Sequence, residues 1–117
     1  MKKLTARFKL WLNARDAEGV FGDGKWRLLA AIDAQGSLKA ASETLHISYR
    51  KAWGDLKKAE DALNIALVER QRGGSIGGQT RLTDQGRKWV NAYTKFRSDI
   101  EKVTEKAYQK HIERLLR

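Results

Sequence analysis

The chain has 117 residues, enough for one domain with a buried core and too few for two ordinary ones. It is 41% hydrophobic and 32% charged with no proline, which fits a helix-rich globular protein, and the lack of cysteine excludes disulfides, cysteine metal sites and thiol catalysis. Twenty-four Lys and Arg against 14 Asp and Glu leave a formal net charge of +10, which points to a polyanionic partner, nucleic acid ahead of an anionic membrane surface.

No apolar run approaches the roughly 18 residues of a membrane span, and the N-terminus has no signal-peptide apolar region, so a cytoplasmic location is the default expectation. Leu4, Ala6, Phe8, Leu10 and Leu12 alternate with Thr5, Arg7, Lys9 and Asn13, the period of a half-buried strand over Leu4–Ala14. Trp11 interrupts the polar face and could be covered by another element. Arg15–Gly19 supplies turn residues, after which Val20 and Phe21 could return as a short second strand. Asp23 stands where an N-cap would open a helix whose apolar stripe is Leu28, Leu29 and Ile32. Gly36 suits the position just past that helix, where positive φ is needed, and Ser37 suits the cap of the next one.

The second helix, Ser37–Leu45, places Leu38, Ala41 and Leu45 three and four apart. His46–Ser48 interrupts it, and Ser48 reads as the N-cap of a third helix in which Ala52, Leu56, Ala59 and Leu63 repeat at helical spacing. The small residues Ala40, Ala41 and Ala52 let two steeply crossed helices approach. Two helices at roughly 90–120° joined by a turn of about 3–4 residues form a helix-turn-helix.

Ile65–Gly73 then reads as a strand and Gln79–Asp84 as its antiparallel return, with "GGSIGG" between them. Gly73 and Gly78-Gln79-Thr80 come close to a nucleotide-binding P-loop. That loop needs a lysine where Gln79 stands and a helix where Gln79–Leu82 reads as a strand, so the match fails. A basic hairpin with a glycine tip remains, and after a helix-turn-helix such a hairpin is a wing. Thr83 caps a long final helix in which Trp89, Tyr93, Phe96, Ile100, Val103 and Ala107 alternate spacings of four and three. After a one-residue slip the seam continues through Tyr108, Ile112 and Leu115. Its length implies an apolar edge that needs a partner, and a homodimer on Trp89, Tyr93, Phe96, Ile100, Val103, Ala107 and Ile112 is expected. Lys102, Lys106, Lys110 and Arg114 form a basic stripe that reads as a solvated face or a non-specific nucleic-acid contact.

The expected architecture is mostly α with small β elements. It is a single winged helix-turn-helix domain over 1–117, with an N-terminal strand or hairpin (4–21), the helix-turn-helix (37–63), the wing (65–83) and a long C-terminal dimerisation helix (84–116). "GDGKWRLLAAIDAQGSLKAASETLHISYRKAWGDLKKAED", followed by "LVERQRGGSIGGQTRLTDQG", resembles the N-terminal DNA-binding domain of the molybdate-responsive ModE-type regulators. The helix-turn-helix part is also similar to that of LysR-type regulators. "ISYRKAW" (Ile47–Trp53) and the "LVER…GG…GG" wing carry the ModE likeness, which runs from about Leu4 to Ile112. The resemblance implies a dimeric transcription regulator, usually of oxyanion-transport genes. ModE-type proteins hold molybdate in a separate C-terminal module; this chain ends with the long helix, so an oxyanion effector is expected only if another chain or the dimer interface supplies its site.

For double-stranded DNA, the residues facing away from the core in a recognition helix over 48–63 are Ser48, Tyr49, Arg50, Lys51, Trp53, Gly54 and Lys57. Arg50 is the expected base or phosphate contact; Ser48 and Tyr49 suit either, and Lys51 and Lys57 suit phosphates. Trp53 could touch DNA or pack against the wing or final helix. Ser37 and His46 could meet phosphates, and Arg70, Arg72, Gly74, Thr80 and Arg81 would lie on the backbone or minor groove. His46 and His111 have no second ligand at metal spacing, so neither metal nor cofactor is expected. No nucleophile set or carboxylate pair suggests an enzyme; Asp23, Asp33 and Asp61 read as caps or solvated faces. Two alternatives stay open: a non-specific architectural nucleic-acid binder, and a DNA-binding subunit whose effector is sensed by another chain or at the dimer interface.

Overall fold

The computed structural model describes residues 3–71 and 79–117. Nine elements follow in order: β1 (Trp11–Ala14), β2 (Ala17–Gly22), α1 (Asp23–Gln35), α2 (Leu38–Thr44), α3 (Tyr49–Leu63), β3 (Val68–Gln71), β4 (Gln79–Leu82), α4 (Asp84–His111) and a 3-10 turn (Glu113–Leu116). The chain is mostly helical, with two separate antiparallel hairpins, β1–β2 and β3–β4. Its arrangement is that of a winged helix-turn-helix.

Side chains from every layer meet in one core. Phe21 comes from β2, Leu28, Leu29 and Ile32 from α1, Leu38 from α2, Leu56 from α3 and Leu67 from the approach to the wing; all are buried. Each such side chain is worth about 1.5–3 kcal/mol relative to exposure, so the helical stripes, more than intrinsic propensity, hold the helices. Ala41, Ala52 and Ala59 are fully buried where α2 and α3 cross α1, which explains why small residues stand there.

The helix ends follow local chemistry. Gly36 adopts φ 76° and its N–H donates to Ile32 C=O at 2.7 Å. Ser37, Ser48 and Thr83 each accept a backbone N–H three residues on, from Ala40, Lys51 and Gly86. Asn64 ends α3 with φ 55°, a left-handed cap without glycine. Gly86 lies against the backbone of Leu67 so closely that a Cβ would stand 2.1 Å from its carbonyl oxygen. The wing and the start of α4 are thus pressed together at that glycine.

Several expectations need correction. The first strand begins at Trp11, not Leu4, because the Leu10 backbone is diverted: its N–H donates to the Asp23 carboxylate and its C=O accepts from the Asp23 N–H at 3.0 Å. Trp11 is not covered by another element and stays exposed. The return strand is longer than Val20–Phe21. Asp23 is not the N-cap of α1: Gly22 holds that position without a side-chain cap, and Asp23 is the first helical residue, turned inward. The first wing strand begins at Val68, not Ile65, and the Glu60 carboxylate takes the outward N–H groups of Leu67 and Val68 at 2.7 and 3.3 Å; the second ends at Leu82, because Thr83 caps α4. Continuous helix stops at His111, and the last turn tightens to 3-10.

Candidate nucleic-acid interface

The turn between α2 and α3 is set by backbone bonds. The His46 N–H donates to Glu43 C=O and the Ile47 N–H to Ser42 C=O, with His46 itself in left-handed backbone at φ 58°. This leaves His46 exposed at the tip and starts α3 at Ser48. Because Ala52, Leu56 and Ala59 face the core, the opposite side of α3 presents Tyr49, Arg50, Lys51, Gly54 and Lys57. A Cβ at Gly54 would meet nothing within 4 Å, so that face is open. Ser37 and Ser48 already use their hydroxyl oxygens as caps.

Charge on this surface is unevenly committed. Lys51 pairs with Asp55 at 3.0 Å and Lys57 with Asp61 at 3.3 Å along α3, and Arg81 pairs with Glu69 across the wing at 2.6 Å. Such exposed pairs are worth about 1 kcal/mol or less, and an incoming phosphate can displace the carboxylate. Arg50 and Arg70 have no carboxylate partner among the described residues. Arg70 instead lies over the Trp53 ring, its guanidinium carbon 3.6 Å from the ring centroid, and its Nη2 donates to Tyr49 Oη at 3.2 Å. Trp53 therefore packs against the wing. A cleft of about 560 Å³ separates the wing from the start of α2, with Ser37, Lys39, Gln71 and Arg81 on its walls.

Thr80 cannot offer its side chain to DNA as expected: it is 4% exposed, and its N–H donates to Gly36 C=O at 3.0 Å. It ties the wing to the α1–α2 corner. Arg72 and Gly74 lie outside the described residues.

The seam of α4 divides in two. Trp89 and Tyr93 are withdrawn from the expected dimer face, since Phe21 of β2 stacks with both, at 5.1 and 5.2 Å between centroids. Tyr93 is 3% exposed and Trp89 packs against the core. Beyond them Phe96, Val103 and Ile112 are exposed, as is Ala107, with Ile100 half-buried. Lys102, Lys106, Lys110 and Arg114 are exposed as well.

A cluster near the middle of this helix left no signal in the sequence. Asp23 Oδ1 accepts from Tyr93 Oη at 2.8 Å and from Arg97 Nε at 2.9 Å, while Arg97 also pairs with Glu101 and lies over the Phe8 ring. Burial alone would raise the Asp23 carboxyl, but hydrogen bonds from Arg97, Tyr93 and Leu10 outweigh it and hold the group below its ordinary value. Burial, then the hydrogen bond to Asp23, keep the Tyr93 hydroxyl protonated far into the alkaline range. On the other side of β2, Lys25 donates to Gly19 C=O at 2.6 Å; burial lowers its pKa, opposed by Asp55 and reinforced by Lys58 and Lys51. Among the described residues no group of three or more His, Asp or Glu is placed to hold a metal ion, and no helix is long and apolar enough to cross a membrane.

Comparison with known proteins bears on this surface. The family described as "Bacterial regulatory helix-turn-helix protein, lysR family" matches residues 24–87, from α1 to the start of α4. The molybdenum transport protein ModE of Azotobacter vinelandii is 34% identical over 95 residues, covering 78% of this chain and 35% of that protein. The molybdenum-pterin-binding protein MopB of Rhodobacter capsulatus is 34% identical over 76 residues, 65% of this chain and 28% of that one. The chain thus spans roughly a third of the length of the curated relatives it matches. Among solved structures, the CbnR_DBD–DNA complex superposes with a TM-score of 0.61 at 18% identity, over 74% of this chain and 94% of that one, and so shares the fold.

Proposed function

Since the chain belongs to the LysR family of bacterial regulatory helix-turn-helix proteins, we propose that this DNA-binding transcription regulator acts as a homodimer reading a specific duplex sequence. In this reading the N-terminal half of α3 enters the major groove, Arg50 meets a base edge, and the wing base lies along the backbone. The observation that carries it is the two-sidedness of α3. One side is sealed into the core by Ala52, Leu56 and Ala59, and the first turn of the other projects Tyr49, Arg50 and Lys51 into solvent. Arginine is suited to the role because its planar fork meets guanine O6 and N7 together.

The homodimer rests on the outer half of α4. Val103 on α4 is 67% exposed and Leu115 in the 3-10 turn that follows it 72%, in a molecule 61 Å in its longest dimension. Two such edges packed together would cover both, and a two-fold axis would repeat the recognition helix about one DNA turn, or a multiple of it, away.

The test is selection of bound fragments from sheared genomic DNA at about 150 mM salt with excess random competitor. A few enriched sites sharing a palindrome are expected. Uniform recovery with affinity falling steeply in salt would replace this reading with that of an architectural binder.

A further inference from the structure

On the proposed DNA face Lys51, Lys57 and Arg81 are each paired with a carboxylate in the free protein, and Arg70 stands apart in how it is held. No acidic group among the described residues neutralises it. An aromatic face holds it instead, with the guanidinium carbon 3.6 Å from the Trp53 centroid and Nη2 bonded to Tyr49 Oη. A guanidinium has five N–H donors lying in its plane and none on its faces. Covering one face with an indole therefore fixes the plane while leaving the edge donors that Tyr49 does not take. Fork geometry toward a phosphate depends on that edge.

Trp53 fits the holding role better than a contact role. Its Nε1 is buried and finds no acceptor among the described residues, so the indole meets Arg70 through its ring face. Tyr49 and Trp53 are four residues apart on α3, one above the other, whereas Arg70 comes from β3. The stack thus joins the recognition helix to the base of the wing at the point where both would meet a DNA strand.

We propose that Trp53 is a positioning residue: it holds Arg70, uncompensated and pre-oriented, to receive a phosphate oxygen of the duplex, and so couples the wing to α3. This deepens the functional reading above and rests on it. Without the stack Arg70 must be ordered during binding. The cost of immobilising one flexible side chain corresponds to a loss of about threefold to tenfold in affinity.

The test is a double-mutant cycle on a labelled duplex recovered by the wild-type protein, with Kd from fluorescence anisotropy across a salt series. Trp53→Leu should weaken binding about threefold to tenfold, and Trp53→Phe, which keeps a ring face, should stay within about twofold of wild type. Arg70→Ala should weaken binding and reduce the salt slope by about 1. In the Arg70→Ala background, Trp53→Leu should have no further effect. An equal loss from Trp53→Leu whether or not Arg70 is present overturns the proposal, as does a Trp53→Leu protein that binds like wild type. Wild-type protein that prefers no duplex at all overturns the functional reading first. Thermal melts of each variant separate a folding defect from a binding one, and Trp53→Phe supplies the test if Trp53→Leu does not fold.

Discussion

Replacing Asp23 by Asn removes one charge and almost no volume from the site where α1 grips the middle of α4. The carboxylate accepts from the Leu10 N–H, from Tyr93 Oη, and from Arg97 through both Nε and Nη2. An amide can keep its oxygen toward Tyr93 and Arg97 Nε only by turning its NH2 toward Leu10 N–H and Arg97 Nη2, donor against donor. The Asp23 and Arg97 side chains are 10% and 15% exposed, so water replaces little of what is lost. Losing the charge assistance of the Arg97 bonds and leaving one backbone N–H unsatisfied costs about 3 kcal/mol in sum. Unfolding entropy of about 2.1 cal/mol/K per residue over 117 residues gives roughly 0.25 kcal/mol/K, so Tm should fall by about 12 °C at neutral pH. The sign with pH follows from the lowered Asp23 pKa: its stabilisation is complete above the ordinary value of 3.8 and is lost as pH falls through the lower folded-state value. Wild type and Asp23→Asn should therefore converge as pH falls below the ordinary carboxylate range and the Asp23 carboxyl protonates in the folded state. Melting followed by circular dichroism from neutral to acid pH measures both effects. A gap below about 3 °C at neutral pH, or one that persists unchanged into acid, refutes the assignment.

Two glycines in helices should respond oppositely to alanine. Gly86→Ala drives a methyl into the Leu67 carbonyl and should cost about 2 kcal/mol or more, whereas Gly54→Ala meets open space and should stabilise by about 0.5–1 kcal/mol; thermal melts compare them. At the left-handed cap of α3, Asn64→Gly should leave Tm level or slightly higher, and Asn64→Val should lower stability by about 1–2 kcal/mol. Arg50→Ala should lose about tenfold in discrimination at one base pair of a selected site, and unchanged selectivity would show that the register of α3 on DNA differs from that proposed.

What was legible in the sequence was what neighbours in the chain decide. Ser37, Ser48 and Thr83 bond to amides three residues away, and Gly36 closes α1 on Ile32, so residue type and spacing suffice to find them. Asp23 shows the limit. An acid before an apolar stripe satisfies the local rule for a cap, but its partners Tyr93 and Arg97 lie 70 and 74 residues away, and no spacing rule reaches them. The α4 seam shows another. Trp89 and Tyr93 obey the same repeat as Phe96 and Val103, because periodicity identifies a face and says nothing of what covers it. Phe21 of β2 takes the first part of that face, and the rest is left open. Thr80 shows the same limit: strand alternation places its side chain on one face of the wing, and only the fold reveals that this face is covered.

The Asp23–Arg97 pair has a mechanical meaning as well. Fourteen residues of α4 extend from Arg97 to His111, about 21 Å at 1.5 Å per residue, with the far end unsupported by the core. The helix is a cantilever, and the Asp23–Arg97 pair is the buried ion pair that bolts it to its wall. A tilt of about 10° at that bolt swings the tip by nearly 4 Å, close to the 3.4 Å rise of a single base pair. In a dimer of the kind proposed, joined near the tips, angular play at one buried carboxylate would become error in the distance between recognition helices, and the tolerance for half-site spacing would be set in part at Asp23, a residue that need never touch DNA.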